Sequence, residues 1–222
     1  MCNLYSNTTA QEAMRQLFDV TAANDRLGNQ APQPAIFPKY TAPVVRMSDT
    51  SERELVAMHW GFLTPQVSKK TGKPIKPAAW NNARDDKVRS AGLWRASFAA
   101  RRCLIPASSF CEAKGRKPAT YHWFALDEDR SPFAFAGFWR DDLLAEGPTY
   151  TIVTTTPNDL VRPIHPSRMP VILHPADFDA WLTGTPEVAA DLMRAFPAEN
   201  MRIVRSGIGE TADPTPASGL PG

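Results

Sequence analysis

Five short runs of aromatic, aliphatic and β-branched residues, at 103–106, 109–113, 120–126, 133–139 and 150–155, follow one another with turn residues between them, Glu146-Gly147-Pro148 among these. Runs of this length and composition read as strands, and such brief connections read as antiparallel pairing. A sheet made of many short strands closes or curls strongly rather than staying open. The 222 residues are 43% hydrophobic, enough for one sizeable core. The sequence therefore predicts an α+β fold, a single domain over residues 1–206 with a curved, barrel-like, mainly antiparallel sheet and peripheral helices.

The flanking segments arrange themselves around that sheet. Thr9-Ala10-Gln11-Glu12 has the form of a capping box, and Ala13, Met14, Leu17, Phe18 and Thr21 follow at helical spacing, which predicts a first helix of about four turns. Pro32, Pro34, Pro38 and Pro43 make 29–43 an extended surface loop. Residues 44–47 and 55–60 read as strands joined by a polar hairpin connection. The stretch 61–80 mixes lysine, proline and glycine without a period and reads as a long basic loop. Short helices are expected around 85–91 and 93–99, a loop at 158–166, a short strand at 169–173, and helices at 175–182 and 186–195. Residues 207–222, heavy in Gly, Pro, Ser and Thr, read as a disordered C-terminal tail.

No apolar run reaches membrane-spanning length, and the N-terminus has neither the basic flank nor the hydrophobic stretch of a secretory signal. The three cysteines, Cys2, Cys103 and Cys111, are odd in number and lack C-x-x-C spacing. That points away from a disulfide framework or a zinc knuckle and toward a reducing cytoplasm. The net charge is only +2, yet between residues 66 and 102 ten lysines and arginines stand against Asp85 and Asp86 alone. Such asymmetry is the footprint of a phosphate-binding face, and equally of a solvated loop.

Four places hold side chains suited to chemistry. Removal of Met1 would leave Cys2 with an amine and a thiol on adjacent carbons, the 1,2-aminothiol that captures an aldehyde as an imine and closes it to a thiazolidine. Taken alone, Cys2 reads as well as a small packed core residue. Glu112, between Cys111 and Ala113 in an apolar strand, is either a carboxyl group whose burial raises its pKa for proton transfer or one on a solvated face. His165, with Pro163 and Pro166 beside it, carries an imidazole on a stiff loop. Asn82 can hold an amine or a sugar hydroxyl, or cap a helix, and Arg84 offers a forked donor to phosphate.

Met1-Cys2, Tyr40, Ala42-Pro43, Trp60-Gly61, Asn82-Ala83-Arg84, Phe110-Cys111-Glu112 and the run from Ile164 through His165, Arg168, Met169 and Pro170 to Leu173 occur in one order along the chain. This set resembles the SRAP family, the SOS-response-associated peptidase-like proteins that act as abasic-site shields. Departures stand at Asn3 and Leu4, where the family often has Gly-Arg, at Asp86 in place of Glu, and at Cys111 and Ala113, where aromatic residues often flank the family's glutamate. The resemblance implies that the chain binds single-stranded DNA and forms a covalent thiazolidine crosslink between Cys2, freed of Met1, and the ring-opened deoxyribose of an abasic site. Cys2, Glu112, His165 and Asn82 would be catalytic. Arg84, Arg168, Lys69, Lys70, Lys73 and Trp80 would meet DNA, and neither metal nor organic cofactor would be needed. The implied setting is a cytoplasmic monomer, at the nucleoid when on DNA, with no membrane contact. Two other readings of the same residues stay open: an N-terminal-nucleophile cysteine peptidase, and a single-strand binder with no covalent step.

Overall fold

Side chains that alternate between two apolar layers, two residues apart along each strand, dominate the structure, a computed structural model that describes residues 2–214. In chain order the strands are β1 (Tyr5–Asn7), β2 (Gln33–Ile36), β3 (Thr41–Met47), β4 (Arg53–Trp60), β5 (Phe62–Val67), β6 (Pro74–Trp80), β7 (Asn82–Arg84), β8 (Arg102–Ala107), β9 (Ser109–Lys114), β10 (Thr120–Ala125), β11 (Phe133–Arg140), β12 (Thr149–Thr155), β13 (Met169–Pro170), β14 (Ile172–Leu173) and β15 (Arg202–Ile208). The α-helices are α1 (Gln11–Phe18), α2 (Arg95–Ala100), α3 (Phe178–Thr183) and α4 (Pro186–Asp191).

Strands β4, β3, β8, β11 and β12 form a closed ring. Each neighbour pairs antiparallel except β12 with β4, which is parallel and completes the circuit. Val44, Met58, Trp60, Cys103, Ile105, Phe135, Tyr150 and Ile152 fill one apolar cluster, and the alternate residues Val45, Leu55, Leu104, Ala136, Phe138 and Val153 belong to another. The second cluster also holds Met14 and Phe18 of α1, Phe98 of α2 and Trp181 of α3, so it is the outer layer and the first is the barrel interior. Gly137 on β11 permits this closure, because a Cβ there would meet the Ile105 side chain and lie 2.8 Å from the Thr151 carbonyl oxygen. A second sheet, ordered β15-β10-β9-β1-β2, contributes Tyr5, Phe110 and Phe124 to the interior cluster and so covers the barrel. The expected α+β domain with a curved, barrel-like sheet is thus what forms.

Several local expectations are corrected. The basic stretch 61–80 is a β-hairpin of β5 and β6, with Lys69, Lys70 and Lys73 at its tip. Pro65, Pro74 and Pro77 hid it, yet prolines are tolerated in a two-stranded ribbon, and the register shifts between Thr64 and Gln66, at Pro65. The proline-rich 29–43 contains the edge strand β2 and the start of β3. Helix α1 is only 8 residues long, its N-cap is Ala10 without a side-chain bond, and Asp19 at φ 52 ends it. The 85–91 segment makes turns rather than a helix. The strand expected at 169–173 is split at Val171, β13 pairing with β12 and β14 with β11. Order also continues beyond residue 206: β15 runs to Ile208 and Asp213 is buried, while residues 215–222 of the expected tail lie outside the described residues. Among the described residues no helix is long and apolar enough to cross a membrane.

Candidate functional site

The hairpin β5–β6 interrupts a single line of pairing along β12. The chain leaves that line at Gly61, whose N–H donates to Tyr150 O (2.8 Å), and returns at Asn81, whose carbonyl accepts from Ile152 N (3.1 Å). β7 then continues parallel to β12, with Asn82 opposite Ile152. Gly61 sits at φ +116, and a Cβ there would be 3.0 Å from that of Ala79, so the exit turn requires glycine. The detour delivers two consecutive asparagines to the N-terminal segment.

That segment runs antiparallel along β9, with Tyr5 opposite Phe110 and Cys111 N donating to Leu4 O at 2.9 Å. Cys2 is fully buried. Its carbonyl accepts from Asn82 Nδ2 at 2.7 Å and from Asn81 Nδ2 at 3.1 Å, and its thiol donates to Leu4 O at 3.5 Å. Burial, and then the Glu112 carboxylate, push the thiol well above its ordinary pKa, so it is held as the neutral S–H. Glu112 is 4% exposed. Desolvation raises its pKa to about 7, working against the stabilising charge of the amino terminus. A carboxyl group titrating near neutrality can both give and take a proton there.

His165 enters from the loop before β13. Its Nδ1 accepts from Arg168 N at 3.1 Å, which leaves Nε2 to carry the proton of the neutral ring. Burial, and then the amino-terminal charge, hold its pKa below the usual value, so the ring is neutral at pH 7. A cavity of about 280 Å³ is lined by Asn3, Leu4, Cys111, Glu112, Tyr121 and His165, so two of the expected catalytic groups border one cavity, while the fully buried Cys2 is not among its lining residues. Asn82, which does not line that cavity, reaches the Cys2 carbonyl.

The expected DNA contacts divide. Lys69, Lys70 and Lys73 are exposed on the hairpin tip, and Trp80 is 48% exposed with its indole N–H held by Thr64 Oγ1 at 2.9 Å. Trp60, by contrast, is a fully buried core residue. Arg84 is exposed and forks onto Asp86, with both bonds at 2.9 Å. Arg168 is buried; its guanidinium donates to Asp85 at 2.6 Å and to the Thr154 carbonyl. Placed there it ties the His165 loop to the end of β12. Asn81 and Asn3 were not picked out as site residues from the sequence; the doubled Asn81-Asn82 was the available signal. Among the described residues no group of three or more His, Cys, Asp or Glu is arranged to hold a metal ion.

The sequence profile of the SOS response associated peptidase (SRAP) family matches residues 1–207. The chain belongs to the SRAP family. Among SRAP relatives, the Bacillus subtilis protein named abasic site processing protein YoqW is 32% identical over 163 residues, 70% of each chain. Abasic site processing protein YoaM of the same organism is 28% identical over 209 residues, 90% of this chain and 88% of the relative. A crystal structure from Bordetella bronchiseptica superposes with a TM-score of 0.71 at 25% identity, covering 93% of this chain and 99% of its own. One from Bacteroides thetaiotaomicron, at 20% identity and a TM-score of 0.67 over 93% of this chain and 91% of its own, shares the fold.

Proposed function

We propose that this SRAP protein, once Met1 is removed, captures the ring-opened deoxyribose of an abasic site in single-stranded DNA and holds it on Cys2 as a thiazolidine. The observation that carries this reading is the grouping around the N-terminal segment of Asn82, on the Cys2 carbonyl, and of Glu112 and His165, which line one cavity together with Asn3 and Leu4. The abasic-site names of its relatives support the same substrate.

The chemistry proceeds from the protonation states. Neutral His165 presents Nε2–H as a hydrogen-bond donor to the sugar ring oxygen, assisting transfer of the 1′-hydroxyl proton to O4′ as the C1′–O4′ bond breaks and the aldehyde opens. The Cys2 amine adds to C1′, and Glu112, poised near pH 7, carries protons from the amine to the departing hydroxyl as water leaves and the imine forms. The Cys2 thiol then adds to the imine carbon, and its proton passes to the nitrogen. In sum one water is lost, taking one hydrogen from the amine and one from the thiol. The Cys2 thiol, which burial keeps protonated, thus carries the proton that the imine nitrogen takes up on ring closure. The lysines of the hairpin tip and Arg84 supply positive charge along the strand, and Trp80 a stacking face.

The test is a denaturing gel and intact mass after incubation with an abasic-site oligonucleotide. A heat-stable conjugate weighing the sum of both components less one water, absent in Cys2→Ala, is expected. Amide turnover without conjugate, or salt-sensitive binding alone, would replace this reading with one of its rivals.

A further inference from the structure

An N-terminal residue hangs from a single peptide bond. Once Cys2 has a free amine, the direction of that amine depends on the Cys2–Asn3 peptide plane, on rotation about the Cys2 Cα–C bond, and on the side-chain torsion. The thiol is anchored at Leu4 O (3.5 Å), which restrains the torsion. One donor on the Cys2 carbonyl, Asn82 Nδ2 at 2.7 Å, would still let the peptide plane swivel about the O···N line. A second donor off that line stops the swivel. Asn81 Nδ2 is that donor, 3.1 Å from Cys2 O, and the same nitrogen donates to Asn3 Oδ1 at 2.9 Å. The orientation of both amides follows from chemistry: a backbone carbonyl only accepts, so Asn81 must present its nitrogen, and Asn3 must answer with its oxygen. Asn81 in turn is anchored through its backbone, its carbonyl accepting from Trp60 Nε1 at 2.8 Å and from Ile152 N at 3.1 Å. The clamp therefore hangs from the barrel wall, and it holds both the Cys2 carbonyl and the Asn3 side chain.

We propose that Asn81, buttressed by Asn3, is a positioning residue that fixes the Cys2–Asn3 peptide plane and thereby aims the Cys2 amine and thiol at an incoming aldehyde. It touches no substrate atom and acts through Cys2. Two amide donors on one carbonyl also draw electron density away from the neighbouring amine, so the clamp lowers the pH at which that amine becomes nucleophilic. Asn3 gains a role from the same contact: its Oδ1 holds the Asn81 amide, and the residue also lines the cavity that Glu112 and His165 line.

The inference rests on aldehyde capture by Cys2, and its test separates the two. Protein freed of Met1 is compared with Asn81→Ala, Asn81→Asp and Asn3→Ala. Two quantities are read: the titration midpoint of the Cys2 amine, by NMR of protein labelled at cysteine, and the rate of mass gain with glycolaldehyde. Asn81→Asp keeps the volume but sets a carboxylate against the Cys2 carbonyl, so it should raise the amine midpoint most and slow capture most. Asn81→Ala should slow capture about tenfold, the effect of one hydrogen bond, and Asn3→Ala less. Melting temperature and affinity for intact single-stranded DNA should stay at wild-type values in Asn81→Ala, which a purely structural role would not allow together with a shifted midpoint. Wild-type midpoints and rates in both Asn81 variants overturn the proposal. If the parent protein captures glycolaldehyde but leaves abasic DNA unconjugated, the DNA reading falls while slowed Asn81 variants sustain the clamp; capture of neither aldehyde overturns both.

Discussion

The proposed chemistry of the site rests on one ionisation, that of Glu112. In the unfolded chain it behaves as an ordinary glutamate, whereas in the fold desolvation moves its pKa to about 7. Below the unfolded value both states are protonated and the difference vanishes. Between that value and pH 7 the unfolded chain releases a proton that the folded one keeps, so stability falls as pH rises; above pH 7 the cost is constant, about 3 kcal/mol. Glu112→Gln should accordingly melt higher than the parent protein at pH 8 and equally at pH 4, while its rate of conjugate formation at neutral pH drops about a hundredfold. Arg168 gives the opposite kind of prediction. Its guanidinium is buried against Asp85 and Thr154, so Arg168→Ala leaves Asp85, which keeps the Asp86 N–H at 2.7 Å, without its ion-pair partner and frees the His165 loop. A loss of about 2 kcal/mol in denaturant melts is expected. Burial of this kind was not legible in the sequence: Arg168 stands among motif residues and reads as a phosphate contact, and only packing reveals that an aspartate from 83 positions earlier already occupies it.

The β5–β6 hairpin is the element on which the sequence was most misleading and on which the proposed DNA contact most rests. Its prolines suppress a strand pattern, yet its cross-strand pairing makes it the arm that carries the lysine-rich tip. Replacing Lys69, Lys70 and Lys73 with Gln should leave the melting temperature unchanged, since all three are exposed. Affinity for single-stranded DNA should weaken, and the slope of log affinity against log salt should fall by roughly 0.7 for each phosphate no longer neutralised. An unchanged slope, measured by anisotropy titrations at several salt concentrations, would remove the hairpin tip from the DNA path. The strands of the barrel itself were far easier to read, because Val44, Val45, Leu104, Ile105 and their partners are buried on both faces and so form near-continuous apolar runs.

At the scale of the whole molecule, the C-terminal segment binds the second sheet together. Trp123 Nε1 on β10 donates to Glu210 O at 2.8 Å, Ser109 Oγ on β9 to Asp213 Oδ2 at 2.6 Å and Ser6 Oγ on β1 to Asp213 O at 2.9 Å, while Asp213 N donates to Pro34 O on β2 at 2.9 Å. Arg130 Nη2 completes a buried ion pair with Asp213 at 3.1 Å. The strands crossed this way include β9, which carries Glu112, and β1, which leads directly from Cys2. Asp213→Ala should therefore cost about 3 kcal/mol in denaturant melts, by leaving Arg130 without its buried partner, and truncation after Gly207 should cost at least as much. A composition of Gly, Pro, Ser and Thr gave no sign of this, because one buried aspartate suffices to anchor a segment that has no apolar face.

The sequence by itself determined the place of the five barrel strands, the curled sheet and the family, since these rest on apolar runs, turn residues and motif order that are local properties of the chain. The tertiary structure alone decided the barrel's closure through the parallel pairing of β12 with β4, the burial of Arg168, the path of residues 207–214, and above all the grip of Asn81 and Asn82 on Cys2. Each of those joins residues far apart in the chain through a hydrogen bond or ion pair whose existence depends on geometry, and no spacing along the sequence encodes it.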